Sequence, residues 1–430
     1  MESPREAGLA EALDLADRGD PAAATALAFR LIAAGPEWEP PWLLAGELLC
    51  LQGCREEFFA LADQFQHHRG RGAILFKEVM TRLLGRGRLA LVQALAAAVP
   101  ADRPWAVLAP YFQGCALVAA GEHRQALAAF ARFKQAVPRS QRLLPFRSDP
   151  FLNVILRQGC LVEDAPFVEA LAGRPEQPLD WVWHGPPPAA PPAGPMLVSA
   201  ANGLYFDQFA EGLVRSAAAL ERGLTVHLHL IDGGPDSLAR LPALAALVPA
   251  GQLQVSLSRA GARAGATYFA CARFLLAPGL LAACRAPLWL TDIDALLKPG
   301  FGRLLEALAA AANSGPDLAC FDTGRCEPAS RFAAGVVRVA DTDGARRLLE
   351  RIGRFILAKL DRPLADTWML DQAALYSVVA WAQQALPDIR FADLGRLAGG
   401  LGLEDVLESL HPGALKNAMR WSVESRGQDG

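Results

Sequence analysis

At 430 residues, 52% hydrophobic and 20% charged, the chain exceeds what one hydrophobic core ordinarily organises, so at least two domains are expected. A formal charge of −3 gives no electrostatic footing for nucleic acid or an anionic membrane surface. The polar start Met1-Glu2-Ser3-Pro4-Arg5-Glu6 leads into no apolar leader, and no apolar stretch reaches the roughly 18 to 20 charge-free residues that span a bilayer. A cytoplasmic protein without a membrane span is the expectation.

The first signal along the chain is a repeat. Gly19, Gly53, Gly87 and Gly121 stand 34 residues apart in one register, and a fixed period of that length marks an array of helix pairs. In the fourth unit Gly114, Gly121, Ala126, Phe130, Phe133 and Pro138 occupy the small, turn, small, large, apolar and terminating places of a tetratricopeptide-like pattern. Small residues let two helices approach, glycine makes the turn between them, and proline ends the second. The second unit carries Phe58 where a small residue is usual, and Gly159 comes 38 rather than 34 residues after Gly121. We therefore expect an α-helical tetratricopeptide-like solenoid over residues 1–172. Such arrays bind proteins or peptides, or merely brace a neighbouring domain.

Residues 173–195 carry eight prolines and read as a linker. Trp181 and Trp183 within it are too apolar for a fully solvated tether, so part of this segment is expected to pack on a domain.

From Met196 the pattern becomes β-α-β: a strand at Met196-Leu197-Val198-Ser199, a helix from about Phe206 to Arg222, and a strand over Thr225 to Asp232. A third strand at Leu253 to Leu257, a helix around Tyr268 to Ala283 and a strand before Asp292 continue the alternation. This predicts an α/β domain over 196–430 with a mostly parallel sheet between helices, whose ligands bind at the carboxyl ends of the strands. His227 and His229 share one strand face and read as hydrogen-bonded structural residues. The eight cysteines form no CxxC pair and no zinc pattern, which suits buried reduced thiols. A GxGxxG fingerprint and a P-loop are both absent from the sequence.

Asp292-Ile293-Asp294 follows the apolar run Ala286-Pro287-Leu288-Trp289-Leu290. Side chains alternate along a strand, so carboxylates two residues apart can share one hard divalent cation such as Mg²⁺ or Mn²⁺. Acidic residues after a strand also serve as solvated turns or helix caps. The company of Arg273, of Asp371-Gln372 and of His411-Pro412-Gly413 with Lys416 favours the metal reading.

Those segments resemble the nucleotide-sugar glycosyltransferases of GT-A fold, in particular the group of glycogenin and the bacterial galactosyltransferases. The resemblance covers roughly half of the chain. It rests on Leu197 to Asn202 with Tyr205-Phe206, on Tyr268 to Phe274, and on Trp289 to Asp294. It rests further on Arg331 to Val336 with Trp368 to Gln372, and on His411 to Lys416. It implies a metal-dependent hexosyltransferase, retaining in outcome, that uses a nucleotide diphosphate sugar donor. Asp292, Asp294 and His411 would hold Mn²⁺ or Mg²⁺. Asn202, Arg273, Gly413 and Lys416 would bind the donor, and Asp371 and Gln372 would meet the transferred sugar and the acceptor. The acceptor would be a protein or glycan recruited by the repeats.

The chain departs from the family pattern at Ala201-Asn202, where an acidic residue is usual, at Ala333-Ala334-Gly335 in place of Asn-Ala-Gly, and in the shortened His411-Pro412-Gly413. These departures leave a second reading: a non-catalytic repeat scaffold fused to a degenerate transferase-like domain.

Overall fold

The computed structural model describes residues 3–70, 72–103, 105–136, 165–175, 179–188, 190–192, 194–310, 315–324, 331–361 and 369–410. The chain divides into two units, Met1–Cys160 with Gly324–Glu327, and Leu161–Thr323 with Pro328–Gly430.

The described part of the first unit is helical: α1 (Pro4–Asp17), α2 (Pro21–Ala34), α3 (Glu39–Leu51), α4 (Arg55–Arg69), α5 (Gly72–Gly85), α6 (Leu89–Ala98), α7 (Ala109–Ala119) and α8 (His123–Ala136). Each glycine of the 34-residue series lies two residues past one helix and two before the next, with φ between 69° and 83°. That left-handed backbone costs glycine nothing and strains other residues. At Gly53 the turn closes with the Gly53 N–H donating to the Cys50 carbonyl at 3.1 Å and the Cys54 N–H donating to the Leu49 carbonyl at 2.9 Å. The same pair of bonds recurs at Gly19, Gly87 and Gly121, so one piece of backbone chemistry makes all four reversals.

Close approach between neighbouring helices also depends on small residues. A Cβ at Gly114 would lie 2.5 Å from the Phe130 ring, and one at Gly46 would lie 3.0 Å from Val79. Phe58, the large residue in a small position, is accommodated by stacking on Phe76, with centroids 6.0 Å apart and planes inclined by 20°. Trp105 stacks on Phe76 in turn at 4.7 Å. An aromatic file thus fills the middle of the unit, and it accounts for the fading of the repeat pattern there. The helix expected at Phe151 to Gln158 and the turn at Gly159 lie outside the described residues.

The second unit begins its described part with α9 (Ala165–Ala170), whose Phe167 meets Phe355 edge-on at 5.8 Å. Its strands are β1 (Trp181–Trp183), β2 (Met196–Asn202), β3 (Thr225–Ile231), β4 (Leu253–Ser258), β5 (Leu288–Thr291), β6 (Ala295–Leu297), β7 (Leu318–Asp322), β8 (Phe332–Val339), β9 (Phe391–Asp393) and β10 (Leu407–Ser409). Its longer helices are α10 (Gly203–Ala219), α11 (Ala266–Cys284), α12 (Pro299–Ala310), α13 (Asp343–Leu360) and α14 (Leu370–Ala385).

Eight strands form one sheet in the order β1-β4-β3-β2-β5-β8-β7-β9, while β6 and β10 pair separately. The centre, β4-β3-β2-β5, is parallel; β8 runs antiparallel to both β5 and β7, and β9 runs parallel to β7. The sheet is therefore parallel at its centre and departs from parallel toward both edges. Trp181–Trp183, inside the proline-rich stretch, adds an antiparallel edge strand to β4.

Alternation along the strands builds two cores. Leu197, Leu228, Trp289 and Val336 point to one face and pack with Phe206, Phe209, Leu213 and Phe301 from α10 and α12. The residues between them, such as Val198 and Leu290, are fully buried on the other face, where α11 packs on β2 and β5. Among the described residues α11 is the one helix long and apolar enough to cross a membrane, but most of its apolar stretch is buried within this unit. Its hydrophobicity is that of a core helix packed against α13 and the sheet.

His227 and His229 are buried on β3. Ser256 Oγ lies 2.8 Å from His227 Nε2 and 2.7 Å from His229 Nδ1, and Ser258 Oγ lies 2.8 Å from His229 Nε2. The pair is structural, as the sequence suggested.

Two outcomes are expected from this packing. Gly114→Val should cost about 1–3 kcal/mol by driving a side chain into Phe130, read as a lowered urea midpoint with the slope unchanged. Burial pushes the pKa of both His227 and His229 down to about 3, whereas the unfolded chain titrates near 6.5. The unfolded state therefore takes up protons that the native state refuses. The stability contributed by the neutral pair is complete above about pH 6.5 and is lost as pH falls toward 3. Urea midpoints measured from pH 7.5 to 4.5 should fall, and should fall less steeply for a His227→Gln/His229→Gln variant.

Candidate functional site at the sheet's switch point

The chain builds β2, β3 and β4 outward in one direction and then returns to lay β5 on the opposite side of β2. Connections leave neighbouring strands toward opposite faces at such a place, so a crevice opens at the strands' carboxyl ends. β2 and β5 pair only as far as Val198 and Leu290, and beyond that register they diverge. A cavity of about 180 Å³ occupies the gap, with Asn202, Arg273, Asp292, Asp294, Asp371 and Gln372 in its wall. At about 10–15 Å³ of such volume per water, it has room for a hydrated cation together with a phosphate group. Six residues singled out from the sequence thus come together around one space.

The two aspartates reach it by a different route from the one their spacing suggested. Asp292-Ile293-Asp294 does not continue β5 as an alternating strand; it is a turn that carries the chain from β5 into β6, from the large sheet to the small one. Ile293 anchors the turn in the core, while both carboxylates line the cavity. Their exposure differs: the Asp292 side chain is 38% exposed, and Asp294 is buried. Thr291 fixes the approach by donating from Oγ1 to the Gly335 carbonyl at 2.9 Å. On the far side, the Leu410 N–H donates to the Asp294 carbonyl at 2.8 Å.

Arg273, on α11, is the charge centre of the site. Its side chain is 2% exposed, and its Nη1 lies 2.9 Å from Asp292 Oδ1 while its Nη2 lies 2.9 Å from Asp371 Oδ2. Nη2 also donates to the Ala334 carbonyl at 3.0 Å, and Nη1 donates to the Ala270 carbonyl. Burial alone would pull the guanidinium pKa down, but Asp292 and Asp371 outweigh it and hold the pKa above its ordinary value. Asp371 lies in the first turn of α14, and the Gln372 N–H donates to its Oδ1 at 2.9 Å. Burial raises the Asp371 pKa, and Asp292 adds to the rise against the opposing pull of Arg273.

Asn202 caps α10, its Oδ1 accepting from the Tyr205 N–H at 3.0 Å. One side chain thereby starts a helix and faces the cavity. His411, Gly413 and Lys416 lie outside the described residues; Leu410, bonded to Asp294, is the sequence neighbour of His411.

Three participants lie in segments singled out from the sequence but have roles the sequence did not assign. Ala334 acts through its carbonyl, which any residue would supply. Met369, in the cavity wall, caps α14 with φ 64°, a left-handed conformation uncommon for a non-glycine residue, and nothing in local sequence marks it. Cys271, also in the wall, follows Ala270 on α11, and burial raises its thiol pKa well above the usual range.

Among the described residues no three His, Cys, Asp or Glu side chains gather closely enough to enclose a metal ion. Asp292 and Asp294 nonetheless supply two hard oxygen donors at an open cavity. That set suits Mg²⁺ or Mn²⁺, which commonly take one or two carboxylates and complete their shells with water and phosphate.

No protein-family model matches the sequence, and no curated protein matches it. Among solved structures, the apo structure of the bifunctional glycosyltransferase WbbM aligns with a TM-score of 0.28 and 14% identity over 42% of this chain. The alignment spans 39% of that chain. An overlay this low defines no shared fold, so the reading of the site rests on its own geometry.

Arg273→Met should cost about 3–5 kcal/mol, because it leaves Asp371 buried without its cation. Arg273→Met/Asp371→Asn should recover part of that loss. A double-mutant cycle from urea denaturation measures the coupling, and additivity of the two changes would contradict the pairing.

Proposed function

We infer that the second unit is a metal-assisted glycosyltransferase of GT-A type that moves a hexose from a nucleotide diphosphate sugar to an acceptor. The observation that carries this reading is the meeting of Asp292, Asp294, Arg273 and Asp371 around one cavity at the β2/β5 switch point. Breaking a bond to a nucleoside diphosphate releases an anion, and a site that performs it needs fixed positive charge where that anion forms.

Asp292 and Asp294 would hold Mn²⁺ or Mg²⁺, with His411 as a third ligand; the bond from Leu410 to the Asp294 carbonyl brings the chain to the metal-binding turn one residue before that histidine. Such a cation would supply Lewis-acid stabilisation of the departing diphosphate. Lys416 and Gly413 are assigned to the phosphates and Asn202 to the nucleoside side of the cavity. Asp371 and Gln372, at the start of α14, are assigned to the transferred sugar and the acceptor. Arg273 pairs with both Asp371 and Asp292, and on this reading it would hold the acceptor side and the donor side of the reaction in one frame. Retention of configuration rests on the family resemblance. The helical unit, read as tetratricopeptide-like, is assigned to recruiting a protein or glycan acceptor.

One observation favours the scaffold reading: at Ala333-Ala334-Gly335 the strand beside the cavity contributes a carbonyl to Arg273 but no polar side chain to a donor. Thermal unfolding with UDP-hexoses and GDP-hexoses, with and without Mn²⁺, separates the two. A working site should gain about 2.7 kcal/mol at a donor concentration of 100 times Kd, seen as a rise of several degrees in Tm that requires the metal. Asp292→Asn/Asp294→Asn should abolish the shift; it keeps an acceptor for buried Arg273 but removes one of its two carboxylate charges, so its unliganded Tm should lie below wild type while the unfolding transition stays cooperative. No metal-dependent shift with any donor would favour the scaffold.

A further inference from the structure

Arg273 sits closer to the proposed metal-binding carboxylates than a bystander would. Its guanidinium touches Asp292 directly, at 2.9 Å, and it cannot leave: the Ala270 and Ala334 carbonyls and Asp371 grip the same group, and its side chain is 2% exposed. Asp292 is the looser partner, 38% exposed and placed on a turn. A cation arriving at Asp292 therefore meets a carboxylate already shared with a fixed positive charge. Asp371 draws on that same guanidinium from the other side. Three carboxylates and one guanidinium leave the cluster two negative charges, the number that one divalent cation neutralises.

We propose that Arg273 is a built-in competitor for Asp292 that sets how tightly the Asp292–Asp294 pair holds a divalent cation, and that Asp371 counteracts it by drawing part of its charge away. This rests on the metal-binding reading of the site. It adds that the affinity is tuned from outside the ligand set, by two side chains acting through Asp292. Removing the guanidinium deepens the negative charge that the cation meets. Neutralising Asp371 leaves the whole guanidinium charge bearing on Asp292. The two substitutions must therefore move cation affinity in opposite directions, whereas simple loss of structure would weaken binding in both.

The experiment is titration of the full-length protein with Mn²⁺ alone, followed by the loss of the free-ion electron paramagnetic resonance signal, which is independent of turnover. Arg273→Gln should bind Mn²⁺ at least tenfold more tightly than wild type, and Asp371→Asn at least threefold more weakly, with circular dichroism reporting the fold of each. Where Arg273→Gln alone is too unstable to titrate, Arg273→Gln/Asp371→Asn, which removes both partners of the buried pair, takes its place and should bind Mn²⁺ more tightly than Asp371→Asn. Wild type that binds Mn²⁺ with an affinity neither substitution alters, or that both weaken, overturns the proposal and leaves the metal-binding reading standing. Absence of Mn²⁺ binding in wild type with binding gained in Arg273→Gln supports it. Absence of binding in all three proteins removes the metal-binding reading and the proposal together.

Discussion

A guanidinium withdrawn from water is costly unless its charge is matched; Arg273 Nε is buried with no hydrogen-bond partner, and both Nη groups carry the pairing. In this protein that pairing comes from four places far apart in sequence: the carbonyl of Ala270 on its own helix, the turn at Asp292, the strand at Ala334, and the start of α14 at Asp371. Helix, turn, strand and second helix are clasped around one cation. The relative position of Asp292 and Asp371 is therefore not left to loop geometry; it is fixed by two parallel contacts to one planar group, each at 2.9 Å.

The sheet does the coarser placing. Because β5 returns beside β2 after β4 has been laid, the crevice opens where the chain also turns from β5 into β6. The small β6/β10 sheet supports that turn from outside, and Ile293 pins it from within. Carboxylates in such a turn are placed by two sheets at once. Asp294 is thereby buried while Asp292 stays accessible from the cavity.

Much of this could be read before any coordinates. The 34-residue glycine register foretold the helix reversals because a left-handed turn is a strict demand on one residue. The β-α-β spacing foretold the strands from Met196 to Thr291 because burial on both faces leaves long apolar runs. The proximity of Asp292, Asp294, Arg273 and Asp371 was legible only through resemblance, since Arg273 and Asp371 are 98 residues apart and no local rule links them. Strand alternation would bring Asp292 and Asp294 to one side, but the turn between β5 and β6 does the same, so their spacing alone does not tell a strand end from a tight junction between sheets. The carbonyl of Ala334 and the left-handed Met369 had no signature, the first being backbone and the second a conformation imposed from outside its own residue. The mixed side of the sheet, β8 to β9, escaped notice because antiparallel neighbours there are joined by long intervening segments rather than tight hairpins.

The strand Trp181–Trp183 has a bearing on how this unit could be handled or reused. It hydrogen-bonds along β4 in register, and Trp183 lies edge-on to His227 at 5.2 Å, while Arg354 donates to the carbonyls of Leu171 and Ala172 further upstream. A fragment begun at the first residue of β2 would bare the flank of β4 and uncover the neutral histidine, offering a ready template for intermolecular pairing. The proline-rich stretch is in part the selvedge of the sheet. Any excision, fusion or natural shuffling of this unit that keeps the β4 edge covered has to carry the preceding thirty or so residues along with it.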